Sequence, residues 1–193
     1  MTKLLLFTLL IALSALPVLL LQGCLNVEQK EYYFKINNDG SGECRIVYRN
    51  ILSKDDDGKD VSFKDFGELV SDYLNGDKLE KEYGDIRDVK KRLFVEDGLL
   101  CGEMIFSFDS LSQAGLFQFD QDSPLMLYLE QSMFGSNEKY IESNGFYDKD
   151  VMPVIFWKRN SRELRLTTQV LEDTTGTRNL VKLYTLWKQS SDE

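Results

Sequence analysis

The sequence predicts an α+β fold, a curved and mainly antiparallel sheet with two amphipathic helices packed on it. Several short runs alternate apolar and polar residues with period two, each bounded by Asn, Asp or Gly turns. Two other stretches carry apolar residues at helical spacing. No repeat of solenoid period and no long Pro/Gly/Ser linker divides the chain, so residues 31–190 read as one domain.

The elements follow in order. Residues 31–37 place Tyr32, Phe34 and Ile36 on one face and Tyr33, Lys35 and Asn37 on the other. The turn signal Asn37-Asn38-Asp39-Gly40-Ser41-Gly42 comes next, because Asn, Asp and Gly tolerate positive φ. Residues 43–50 alternate again, with Cys44, Ile46 and Tyr48 opposed to Glu43, Arg45 and Arg49. These two runs predict a hairpin with one apolar face. Ser62 reads as an N-cap with Asp65 three residues on. Phe63, Phe66, Leu69, Val70, Tyr73 and Leu74 then share a helical face, ended by Asn75-Gly76. Residues 89–96 and 99–109 flank Asp97-Gly98, a two-residue hairpin signal. Residues 110–122 hold a short helix or loop, and 125–129 a strand; the signal over 140–146 is weaker. Residues 154–158 and 163–170 read as a further hairpin. Leu180, Leu183, Tyr184 and Trp187 predict a second helix over 178–189.

The front of the chain is different. Lys3 precedes an uncharged apolar run from 4 to 21, and Gly23 precedes Cys24. This is the layout of a secretory signal peptide, with an uncleaved membrane anchor or a plain secreted protein as the rivals. Leu21-Gln22-Gly23-Cys24 resembles the lipobox of bacterial lipoproteins: an aliphatic residue, a tolerant position, a small residue and cysteine. The resemblance implies that signal peptidase recognises Leu21 and Gly23 and cleaves after Gly23. It also implies that Cys24 carries a diacylglycerol thioether and an acylated amino group. Leu25-Asn26 lacks the Asp that marks inner-membrane retention in the enteric sorting rule. By analogy the anchor belongs on the periplasmic face of the outer membrane, if the source has two membranes. Only residues 24–30 would then tether the domain, at most about 20 Å from the bilayer. The hairpin over 31–50 with its Asp-Gly-Ser-Gly turn resembles small β-rich bacterial lipoproteins of uncharacterised function, some of them thought to bind lipids. That likeness transfers no binding residue.

Composition excludes several activities. The 193 residues include 23 basic, 32 acidic and no histidine, for a net charge of −9. Without imidazole there is no Ser-His-Asp or Cys-His pair and no His-ligated metal. A pI near 4.7 argues against nucleic acid as a partner, since phosphate binding needs a basic face. Lys3 leaves with residues 1–23, so the mature 170 residues carry −10. An anionic bilayer repels such a domain, and attachment falls to the acyl chains on Cys24.

Few residues invite chemistry. Cys44 and Cys101 form either a disulfide in an oxidising compartment or two separate buried thiols. Cys101 is out of phase with Met104, Phe106 and Phe108 unless Gly102 makes a bulge. The loop 55–60 fails the calcium-loop pattern at both ends and reads as a solvated turn. Trp157 and Trp187, one on a strand and one on a helix, are the candidate ligand-contact aromatics if they border one crevice. Glu103 is either a buried acid of raised pKa or a solvent-face residue. No nucleophile motif, phosphate loop, metal set or cofactor motif is present, and the expected class is not an enzyme. The expected function is a membrane-anchored envelope lipoprotein that binds a lipid, a glycan or an envelope protein. A structural or assembly subunit of a membrane complex is the first alternative, and a carboxylate-dependent hydrolase the second.

Overall fold

The computed structural model describes residues 25–129, 138–150 and 152–191. The expected signal segment, with Leu21 and Gly23, and the expected lipidation site Cys24 lie outside the described residues. The strands are β1 (Leu25–Ile36), β2 (Gly42–Lys54), β3 (Arg87–Glu96), β4 (Leu99–Phe108), β5 (Leu125–Tyr128), β6 (Lys139–Ser143), β7 (Phe146–Tyr147), β8 (Val154–Trp157), β9 (Glu163–Gln169) and β10 (Thr177–Asn179). The helices are α1 (Ser62–Glu68), which continues as a π-helical stretch Leu69–Leu74, then α2 (Lys78–Tyr83) and α3 (Val181–Ser191).

The main sheet runs β3-β4-β2-β1-β9-β6, with β10 added to β2; a small sheet runs β5-β8-β7. Every strand pair is antiparallel. The α+β class with a mainly antiparallel sheet is therefore as the sequence predicts. The core face of the main sheet carries Tyr32, Phe34, Cys44, Ile46, Met104, Phe106, Leu164 and Leu166, all buried. Residues Leu125, Leu127, Ile155 and Trp157 of the small sheet join the same core.

The opposite face of the main sheet is a charged ladder. Glu31 accepts from the Tyr33 hydroxyl at 2.7 Å and from Arg49. Arg45 lies 5.1 Å from the centre of the Tyr33 ring. Opposite charges paired across strands suit a face left in water.

The first hairpin forms as its alternation predicts, from Leu25 opposite Ser53 to Ile36 opposite Gly42. A Cβ on Gly42 would stand 2.2 Å from the Lys35 carbonyl oxygen, so only glycine fits there. The expected tether 24–30 is corrected: β1 begins at Leu25. The alternation hides this because both strands change phase together. The carbonyl of Glu28 accepts from Val170 N and Leu171 N, and Asn50 takes φ 55°. Tyr48 and Ile51, three residues apart, consequently face the same side at Gly102. The register is the same on both sides of Glu28 and Asn50, so the two strands kink together without a bulge.

Three further elements differ from expectation. Residues 154–158 and 163–170 do not pair as a hairpin; β8 belongs to the small sheet and β9 pairs β1 and β6. The turn between them crosses from one layer to the other, because β9 satisfies the free edge of β1 while β8 closes the core from above. Helix α2 was not predicted. The C-terminal helix is preceded by β10, and Asn179 Oδ1 accepts from Val181 N at 2.7 Å at its start. At α1 the Ser62 and Asp65 capping box is absent: Ser62 lies inside the helix, and Asp65 is buried and accepts from Ser53 Oγ at 2.6 Å.

Candidate functional site

A cavity of about 250 Å³ lies between the main sheet and the stretch from Leu69 to Glu82. Its sheet side is built by Leu25, Val27, Tyr48, Ile51, Leu93 and Gly102, and its helical side by Leu69, Tyr73, Leu74 and Leu79. The paired phase change at Glu28 and Asn50 creates this wall. It brings Leu25, Val27 and Ile51 onto the core side, while Gly102 leaves space that a side chain would fill against Ile51 Cδ1 at 3.2 Å. The π-helical stretch widens the turn of the chain over the opening.

Charged residues fasten the helical side. Lys78 pairs with Glu68 and lies 4.4 Å from the centre of the Tyr73 ring. Lys91, from β3, reaches Glu80 at 2.7 Å and the Gly76 carbonyl. Glu82 also borders the cavity, and burial raises its carboxyl above the ordinary range against the opposing pull of Lys30 and Lys78.

One end of the cavity is polar. Lys30 lines it and donates to Glu138 Oε1 at 2.8 Å. The Glu138 side chain is 1% exposed and that of Lys30 10%. Tyr32 donates to both Glu138 oxygens at 2.9 and 2.8 Å, and Thr168 Oγ1 donates to Oε2 at 2.6 Å. Burial and the Glu138 charge push the Tyr32 phenol well above its usual range. Tyr48 and Tyr83 share a hydroxyl hydrogen bond of 2.9 Å beside this group. The arrangement gives an apolar slot closed by a satisfied ion pair, suited to holding a chain of CH₂ groups.

The sequence signal for Lys30 and Thr168 is their phase. Lys30 continues the series Tyr32, Phe34, Ile36, and Thr168 continues Leu164, Leu166. A lysine on an apolar strand face needs an anionic partner, and Lys30 lies one residue before the alternating run 31–37.

The expected site residues lie elsewhere. Trp157 is 3% exposed and donates from Nε1 to Asn144 Oδ1 at 2.8 Å. Trp187 packs edge-on against Phe66 at 6.3 Å. Neither lines this cavity. Cys44 and Cys101 are free and buried, so of the two alternatives the structure has the separate thiols and not the disulfide. β3 and β4 stay in register across Gly102, so no bulge brings Cys101 onto the face that carries Cys44.

The acidic residues are likewise committed. Asp57 and Gly58 take φ 47° and 75° in a tight turn closed by Asp56 and Lys59, and Arg178 binds Asp55. Glu103 accepts from Arg92 and Arg45, which hold its carboxyl below the ordinary range rather than raising it. Asp65, Glu103 and Glu138 are each buried against separate partners and do not form a carboxylate pair. Among the described residues no group of His, Cys, Asp and Glu could hold a metal ion, and no helix is long and apolar enough to cross a membrane. Comparison with known proteins gives no match to a family model, a curated protein or a solved structure.

Proposed function

We propose that this protein is a membrane-anchored envelope lipoprotein, non-enzymatic, that holds an acyl chain of a lipid in the cavity beneath Leu69–Leu74. One observation carries the reading. The cavity is walled mainly by aliphatic and aromatic side chains, and two of them, Leu25 and Val27, follow Cys24 almost at once. At about 250 Å³ it exceeds an apolar hole of about 150 Å³ that takes benzene, and lies just below the range of about 300–1,000 Å³ for drug-sized ligands. That size favours one chain over a glycan, and Lys30, Lys91 and Arg92 in the lining are already paired with Glu138, Glu80 and Glu103.

Lipidation is tested by globomycin treatment or Cys24→Ala, each expected to change electrophoretic mobility and membrane fractionation. Unchanged behaviour in both overturns the lipoprotein reading. Binding is tested by mass spectrometry of lipids that co-purify with the protein, and by a fluorescent fatty acid. Leu79→Trp should abolish the fatty-acid signal while leaving the circular dichroism spectrum intact. Equal binding by this variant would move the ligand elsewhere.

A second reading, an assembly subunit of a membrane complex, draws on the far face of the small sheet. Phe117, Met126, Phe156 and Phe146 lie in one cross-strand row, with Phe117 57% and Phe146 65% exposed. Recovery of a stoichiometric envelope protein, lost on Phe146→Ser, would favour it.

A further inference from the structure

Leu25, the residue that follows the expected lipidation site in sequence, lines the cavity, and this names its ligand. We infer that one acyl chain borne by Cys24 folds back into the cavity between the sheet and the stretch from Leu69 to Leu79. The inference rests on the lipoprotein reading above and specifies which lipid occupies the site.

Three observations converge on it. First, no leash separates Cys24 from the fold. β1 starts at Leu25, where its backbone already pairs with Ser53, and Leu25 itself lines the cavity. Adjacent Cα atoms are about 3.8 Å apart, so one peptide bond links the cysteine to a residue of the wall. An acyl chain begins only a few bonds beyond that Cα, and reaching the slot requires no unfolding of the strand.

Second, the space matches one chain. A cavity of about 250 Å³ accepts part of a single alkyl chain, not a whole diacylglycerol. The lipobox resemblance implies three chains on a mature lipoprotein: two on the thioether glycerol and one on the amino group. One folding back leaves two in the bilayer, and about two chains suffice for stable anchoring. Moving a chain from bilayer to protein exchanges one apolar surrounding for another, so neither location is strongly preferred by hydrophobic transfer. The occupied state is then set by how well the walls pack, which is a property of this chain.

Third, the polar end is already spoken for. Lys30 is neutralised by Glu138, and Lys91 by Glu80. A free fatty acid or a phospholipid brings an anionic head that would compete with these carboxylates. An amide-linked or ester-linked chain on Cys24 brings none.

The test uses the full chain, expressed in a bacterium fed a palmitate analogue that carries a photoreactive diazirine. After irradiation the protein is purified and digested, and cross-linked peptides are identified by mass. The expected product joins the Cys24 lipopeptide to peptides within residues 69–82, and Leu79→Trp reduces it severalfold. Peptides 69–82 carrying phospholipid instead of the Cys24 lipopeptide would overturn this inference while leaving acyl-chain binding intact. A full set of Cys24 lipopeptides cross-linked only to bilayer lipid, with 69–82 unlabelled, would overturn the inference and the acyl-chain-binding reading together. Absence of any lipid on Cys24 would remove the lipoprotein reading itself. Should Leu79→Trp misfold, Leu74→Trp blocks the same slot from the next turn.

Discussion

Lys30 Nζ lies 2.8 Å from Glu138 Oε1, and the two residues stand 108 positions apart in the chain. Their pairing ties β1 to the start of β6 across β9, at the closed end of the cavity. Removing one partner leaves the other charge buried. Glu138→Leu should therefore cost about 3–5 kcal/mol. Lys30→Met combined with Glu138→Leu should cost less than the sum of the single changes, by at least about 1 kcal/mol. The double variant does not return to wild type, because the Tyr32 and Thr168 hydroxyls lose their acceptor. Urea denaturation of the four proteins measures the cycle. Additive costs would mean that the pair is not a coupled unit.

Cys44 and Cys101 sit on opposite faces of neighbouring strands, and burial raises the pKa of both thiols. Thiol titration of protein purified under oxidising conditions should find neither reactive in the native state and both reactive after unfolding. A reductant should leave the melting temperature unchanged. A loss of several degrees on reduction would indicate a disulfide after all.

Asn50 pays for its position with a left-handed backbone, and its Oδ1 has no hydrogen-bond partner among the described residues while Nδ2 donates to Glu28 at 2.6 Å. Glycine adopts this backbone without strain, so Asn50→Gly should stay within about 1 kcal/mol of wild type. A β-branched residue cannot, and Asn50→Val should lose about 2 kcal/mol or more. It should also weaken fatty-acid binding, since the phase change at Asn50 shapes the cavity wall. Unaltered binding in a folded Asn50→Val protein would separate the kink from the site.

Glu103 carries the pH dependence of the charged face. Its folded carboxyl lies below the ordinary range because Arg92 and Arg45 bind the ionised form. A group lowered in this way stabilises the fold above its unfolded value, and that contribution disappears as pH falls through the folded value. Both arginines are well exposed, with 57% and 39% side-chain accessibility, so the contribution is about 1 kcal/mol. Glu103→Gln should lose this at pH 7. The difference from wild type should shrink as pH drops below about 4.3, the usual glutamate value. A constant difference down to low pH would assign the loss to packing.

Local chemistry determined much of this fold. Alternation over residues 31–37 and 43–50 specified the first hairpin, because a pleated strand half in water must alternate. Asp97 and Gly98 take φ 51° and 76°, the backbone that the Asp-Gly pair predicts between β3 and β4. The helical face of Phe66, Leu69 and Tyr73 was equally visible, and so were the absence of histidine and the lipobox resemblance at Cys24. Only the tertiary structure decided that residues 25–30 are strand, that β8 and β9 part into different sheets, and that Glu138 meets Lys30. Each of these depends on a partner far along the chain. A strand edge takes whichever backbone closes it, and a phase change at Glu28 is stable only because Asn50, Val170 and Leu171 answer it. The cavity follows from those non-local pairings, and for that reason no single stretch of sequence announces it.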